Sequence, residues 1–136
     1  MRRVVVDASV ILNWFKPEDE TSLTEARVLR QEYDTGTLRL SAPFLLPFEV
    51  LNALARRWRW PAEELGAAAS ALDDLAVDYV QPDLVGVTAW VGRGLTAYDS
   101  ASAAVAEQER APLVTADQHL LSTAGEVAVG LGDKHK

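Results

Sequence analysis

Apolar and polar positions along this chain switch between two periods, and the switches predict strands alternating with helices. Arg3-Val4-Val5-Val6 is a short unbroken run of mostly β-branched residues, the pattern of a parallel strand buried on both faces. A short helix is expected over Ser9 to Phe15, ended by Pro17. Ser22-Leu23-Thr24-Glu25 has the form of a capping box, and Leu23, Ala26, Leu29 and Tyr33 then recur at helical spacing until Thr35-Gly36. Leu38 to Leu40 reads as a weak strand, and Pro43 leads into a helix from Leu46 to Trp58. Pro61, followed by Glu63 and Glu64, opens a helix whose body, Leu65 to Leu75, is rich in alanine. Val77 to Val80 reads as a strand, and Pro82-Asp83 opens a helix that fades at Gly92 and Gly94. A helix over Ala97 to Arg110, a strand over Leu113 to Thr115, a helix over Asp117 to Thr123 and a strand over Val127 to Val129 complete the pattern. The expected fold is therefore α/β, about five parallel strands flanked by helices on both faces. The 136 residues fit one domain, with residues 131–136 expected to form a flexible tail.

Laid over these elements, four carboxylates fall at ends that one place in the fold can share. Asp7 closes the first strand and Asp117 follows Leu113-Val114-Thr115, while Glu49 and Asp99 come early in their helices. In open parallel sheets ligands bind beyond the carboxyl ends of strands, where strand order switches. Carboxylates gathered within ~4 Å repel by roughly 4 kcal/mol per pair at an effective dielectric of 20. A hard cation relieves that repulsion, and Mg²⁺ (with Mn²⁺ as a substitute) takes a few carboxylates while keeping several waters. Each acid alone also has an ordinary role open to it, as a helix cap, a partner of the helix dipole or a surface charge. Their common placement, with the hydroxyls of Ser9 and Thr115 nearby, is what points to a metal site.

Composition narrows the chemistry. The absence of cysteine removes disulfides, thiolate zinc sites and cysteine nucleophiles, and His119 and His135 alone make a poor zinc set. No stretch has the roughly 18 apolar residues of a membrane span, and the apolar run after Met1 is too short for a signal peptide, so a cytoplasmic protein is expected. The net charge of −7 argues against broad electrostatic adhesion to nucleic acid. Arg56, Arg57, Arg59 and Arg93 are candidates for steering phosphates; solvated helix faces are the alternative. Trp14, Phe15, Trp58, Trp60 and Trp90 are candidates for stacking on bases, though core packing is the commoner use of such residues.

Four segments, Val4-Val5-Val6-Asp7-Ala8-Ser9, Pro47-Phe48-Glu49-Val50-Leu51-Asn52-Ala53-Leu54, Tyr98-Asp99 and Leu113-Val114-Thr115-Ala116-Asp117, resemble in this order the PIN-domain nucleases, most closely the VapC-like toxins of prokaryotic toxin–antitoxin pairs. The similarity runs from Arg3 to about Leu121. The resemblance implies a Mg²⁺-dependent endoribonuclease acting on RNA, a cognate antitoxin and commonly a toxin homodimer. It implies that Asp7, Glu49 and Asp99 hold metal directly or through water, and that Asp117 is a fourth acid serving a second ion to a variable degree. Ser9 and Thr115 match hydroxyl positions that orient Asp7, and Asn52, one turn after Glu49, matches a polar position near substrate. Ser100 stands where many relatives carry alanine.

Two other classes compete. A phosphatase of the haloacid dehalogenase type, or a receiver domain, also begins with an acid after its first strand. The phosphatase needs an acid two residues on and a late lysine; here the position is Ser9, and Lys134 is the first lysine of the second half. A non-catalytic module whose acidic groove captures a basic peptide is the non-enzymatic reading.

Overall fold

The computed structural model describes residues 1–16 and 19–133. Five strands form one sheet: β1 (Arg2–Val6), β2 (Leu38–Pro43), β3 (Val77–Val80), β4 (Leu113–Thr115) and β5 (Ala128–Gly130). All four pairings are parallel, in the order β3-β2-β1-β4-β5. The chain thus builds outward from β1 to β3, then crosses back and builds the other way through β4 and β5. The order reverses between β1 and β4, which makes their carboxyl ends the switch point of the sheet.

Among the described residues seven helices cover the two faces: α1 (Ala8–Phe15), α2 (Glu20–Asp34), α3 (Leu46–Arg56), α4 (Ala62–Asp74), α5 (Leu84–Val91), α6 (Ala97–Glu109) and α7 (Gln118–Thr123). The side-chain alternation of β1 divides the core. Val4 and Val6 point into a cluster with Val10, Leu29, Val50 and Leu72 from α1 to α4, whereas Val5 joins Trp90, Val105 and Leu120 from α5 to α7. All three valines are fully buried, as a strand covered on both faces requires. In α6 the run Ser100 to Ala106 is buried throughout; its alanines and serines let the helix lie close against the sheet. Among the described residues no helix is long and apolar enough to cross a membrane.

Several boundaries differ from those the pattern predicts. The capping residue of α2 is Asp19, whose carboxylate accepts from the Ser22 amide at 2.7 Å, so the helix begins upstream of the Ser22–Glu25 box. Strand β2 extends to Pro43 because Arg39 and Ser41, which make it look weak in sequence, have ionic partners. Arg3 and Arg39 both donate to Asp78 on β3, at 2.9 and 3.1 Å, and Arg3 also donates to the buried Ser41 hydroxyl. Pro17, expected to end α1, lies outside the described residues, as do Lys134, His135 and Lys136 of the expected tail. The start of that tail is ordered: Leu131 is buried, its amide donates to the Thr115 carbonyl at 2.9 Å, and Asp133 accepts from Gly130 at 2.7 Å. Gly132 passes so near the Glu25 carboxyl that a Cβ there would collide with it.

Candidate active site

Asp7 leaves the end of β1 and caps α1, accepting a long bond from the Val10 amide at 3.4 Å. It is 6% exposed, and hydroxyls hold both of its oxygens. Ser9 donates to Oδ1 at 2.5 Å and Thr115, from the end of β4, donates to Oδ2 at 2.6 Å. The same hydroxyls tie the neighbouring strand end in place, for Ser9 Oγ accepts from the Ala116 amide at 2.9 Å and Thr115 Oγ1 from the Asp117 amide at 3.0 Å. Asp117 caps α7, accepting from the Leu120 amide at 3.0 Å. Its capping role and its place at the switch point are both real.

Glu49 lies in the first turn of α3 and Asp99 in the first turn of α6, where dipoles favour acids. Asp99 is set by Thr96, the cap of α6, whose hydroxyl accepts from the Asp99 amide at 3.0 Å. Burial pushes the Asp7 carboxyl from its ordinary 3.8 up to about 6, against the pull of its hydrogen bonds, and the Asp99 charge adds to the rise. Burial, then the charges of Asp7 and Asp99, push Glu49 up to about 7. Asp99 is raised by burial and by the charge of Asp117, with Thr96 and His119 opposing. All four acids therefore share one electrostatic neighbourhood. Among the described residues, however, no three acids or imidazoles stand close enough to hold a cation by direct contact. The donors are hard carboxylate oxygens, so the set fits an ion such as Mg²⁺, which takes one or two carboxylates and keeps its waters.

Two clefts each take one of the acids into their lining. One, of about 520 Å³, is lined by Leu45, Phe48, Glu49, Asn52 and Tyr98. The other, of about 290 Å³, includes Ser9, Lys16, Arg57, Trp58 and Asp117 in its lining. Of the expected phosphate-steering residues, Arg57 lines this second cleft, its guanidinium 4.6 Å from the Trp58 ring centre. Arg56 is an exposed residue in the last turn of α3 and Arg59 an exposed one beyond it. Arg93 is committed elsewhere: it pairs with Glu126, donates to the Thr123 carbonyl at 2.9 Å and lies over Trp90 at 4.6 Å. An arginine so engaged is not a free hand for phosphate.

The tryptophans and Phe15 serve packing. Trp14 donates to the Ala26 carbonyl at 2.9 Å, Phe15 meets Trp60 edge-on at 6.5 Å, Trp58 packs on the core, and Trp90 is buried with its indole bound to Glu107. Trp58 also lines the second cleft, and the aromatic residues of the first are Phe48 and Tyr98, which periodicity does not single out. Thr96 is not among the sequence candidates, although Thr96-Ala97-Tyr98-Asp99 repeats the hydroxyl-x-x-acid signature that marks a helix start.

Comparison with known proteins agrees with this fold. PAE2754 from Pyrobaculum aerophilum superposes with a TM-score of 0.69 at 27% identity, over 96% of this chain and 90% of that one. VapC20 of Mycobacterium tuberculosis, a sarcin-ricin loop cleaving toxin, gives 0.64 at 16% identity over 88% and 93%. FitAcB from Neisseria gonorrhoeae gives 0.66 at 14% identity over 94% and 97%. The last two are distant enough in sequence to speak for the fold alone. No curated protein matches the sequence. The PIN domain family model matches residues 4–126, nearly the whole domain, and the chain belongs to the PIN domain family.

Proposed function

We propose that this protein is a divalent-metal-dependent endoribonuclease, the toxin of a toxin–antitoxin pair acting in the cytoplasm. The observation that carries the reading is the clasp on Asp7: a buried carboxylate held by Ser9 and Thr115 beside Glu49 and Asp99. Burying an acid this way costs stability, and groups so perturbed cluster at functional sites. Asp7, Glu49 and Asp99, with Asp117 at the edge, would hold Mg²⁺ or Mn²⁺ directly or through its waters, and the ion would supply Lewis-acid activation of water and neutralise phosphate charge. Ser9 and Thr115 fix the Asp7 oxygens, Thr96 fixes the start of α6 beneath Asp99, and Asn52 offers an amide beside Glu49. Without a cation the same acids repel a polyanion, so these residues tie RNA binding at the cleft to the metal.

RNA as the substrate is supported by the resemblance to VapC-like toxins and by VapC20, whose fold this chain shares. In-line attack by water predicts 5′-phosphate and 3′-hydroxyl ends. A nuclease directed at its own cell's RNA needs neutralisation, and an acidic cleft would draw a basic antitoxin segment. A homodimer is supported by the resemblance and by Leu84 and Val85 of α5, which stand 72% and 77% exposed. The test is to incubate purified protein with total RNA in Mg²⁺, Mn²⁺ or EDTA and to map the ends. Cleavage that persists in EDTA, or 2′,3′-cyclic phosphate products, would overturn the mechanism. Cation binding with no cleavage of any RNA would favour the peptide-binding module instead.

A further inference from the structure

We propose that Phe48 and Tyr98 form a stacking rim for unpaired nucleobases of the strand whose phosphate enters the acid cleft. The inference rests on the nuclease reading and adds to it a subsite made by two named side chains. Helix geometry sets the rim. At about 100° per residue, burying Leu46, Val50 and Leu54 of α3 leaves Glu49 about 100° round from the buried face and turns Phe48 and Asn52 almost directly away from it. Phe48 is 67% exposed, and Tyr98, at the start of α6, is 58% exposed. Neither belongs to the two core clusters, yet both line the cleft that holds Glu49. Burying a phenylalanine is worth about 1.5–3 kcal/mol, which this position forgoes although a polar residue would suit water better.

Charge decides what the rim binds. Among the described residues no lysine or arginine lines this cleft, so no basic side chain meets phosphate there. Lysine and arginine instead stand in the second cleft, at Lys16 and Arg57, on the Ser9 and Asp117 side of the acids. A strand crossing the site would lay its backbone along that side and turn its bases toward Phe48 and Tyr98. Base–aromatic stacking needs no charge and is worth about 1–3 kcal/mol per base. It needs a base with a free face, which a duplex interior does not offer. The amide of Asn52 stands within the same cleft to meet a base edge.

The test measures equilibrium binding in Mg²⁺ with Asp7→Asn present in every protein, so that no strand is cut. The probes are a fluorescein-labelled oligoadenylate and a strand of equal length made of abasic ribose phosphates. Base-bearing strand should outbind abasic strand on the parent. Phe48→Ala and Tyr98→Ala should each weaken oligoadenylate about 5- to 150-fold and leave abasic binding unchanged. Phe48→Trp should keep the affinity, and oligoadenylate, unlike the abasic strand, should quench its added indole fluorescence. Unchanged thermal unfolding will show that the variants fold. Equal binding of the two strands by the parent, or alanine variants that hold oligoadenylate as tightly as the parent, would overturn the proposal and leave the rim to a protein partner. Failure of the nuclease reading has its own signature, RNA left intact by the unsubstituted protein in Mg²⁺ and Mn²⁺ with neither strand bound, and it removes both.

Discussion

Thr115 donates its hydroxyl to Asp7 at 2.6 Å across a separation of 108 residues. The bond closes the gap between β1 and β4, where the strand order reverses, and the amide of Asp117 hangs from the same hydroxyl. One oxygen atom thus positions two acids.

Thr115→Val keeps the shape and removes that oxygen. Unfolding free energy should fall by about 1–2 kcal/mol, since a buried carboxylate and an amide both lose a partner. Cleavage should fall about 10- to 100-fold, the usual cost of removing a group that orients a metal-binding acid. Thr115→Ser should restore most of both, as read by urea unfolding and RNA cleavage rates.

Asp7→Asn should abolish cleavage while raising the melting temperature of the metal-free protein above pH 7. The charge that burial disfavours disappears, and an asparagine still caps α1. A variant that melts lower than wild type at pH 8 in EDTA would show that the buried charge is not a cost.

The acids also set a pH dependence. Asp7 and Glu49 bind protons more tightly in the folded chain, with values of about 6 and about 7, than at their ordinary 3.8 and 4.5. The folded state therefore holds more protons than the unfolded state between pH 4 and 7. The stability these groups confer is present below their ordinary values and is lost as pH rises through the folded ones. For Asp7 the loss amounts to up to about 3 kcal/mol. Calorimetry in EDTA should show the melting temperature falling over this window, and Mg²⁺ should oppose the fall at its upper end. A flat profile in Asp7→Asn, Glu49→Gln would assign it to the site.

The Ser100 hydroxyl is fully buried with no hydrogen-bond partner among the described residues. Ser100→Ala should raise unfolding free energy by about 1 kcal/mol, because an orphaned polar group is removed from the core. Denaturant titration checks this, and cleavage should persist.

Arg93→Ala should leave cleavage unchanged, since its guanidinium is spent on Glu126 and Trp90. Arg57→Ala, in the cleft beside Asp117, should weaken RNA binding and flatten its salt dependence. Filter binding across a salt series separates the two.

The linear sequence already carries most of the elements and all four acids. Val4-Val5-Val6 can only be a strand covered on both faces, and Val77 to Val80 and Leu113 to Thr115 read directly as strands, because short-range periodicity and β-branching decide them. It also placed Asp7, Glu49, Asp99 and Asp117 at element ends, since caps and strand termini are local features. Tertiary structure decided what depends on neighbours far away in the chain. Arg39 and Ser41 disguise β2 until Arg3 and Asp78 arrive from other strands. Leu131 is part of the core only because β4 offers it the Thr115 carbonyl. Arg93 looks like a free cation until α7 and β5 bring Glu126 to it. Phe48 and Tyr98 become a pair only when α3 and α6 start at one cleft, for exposure belongs to the packed molecule and no window of sequence contains it.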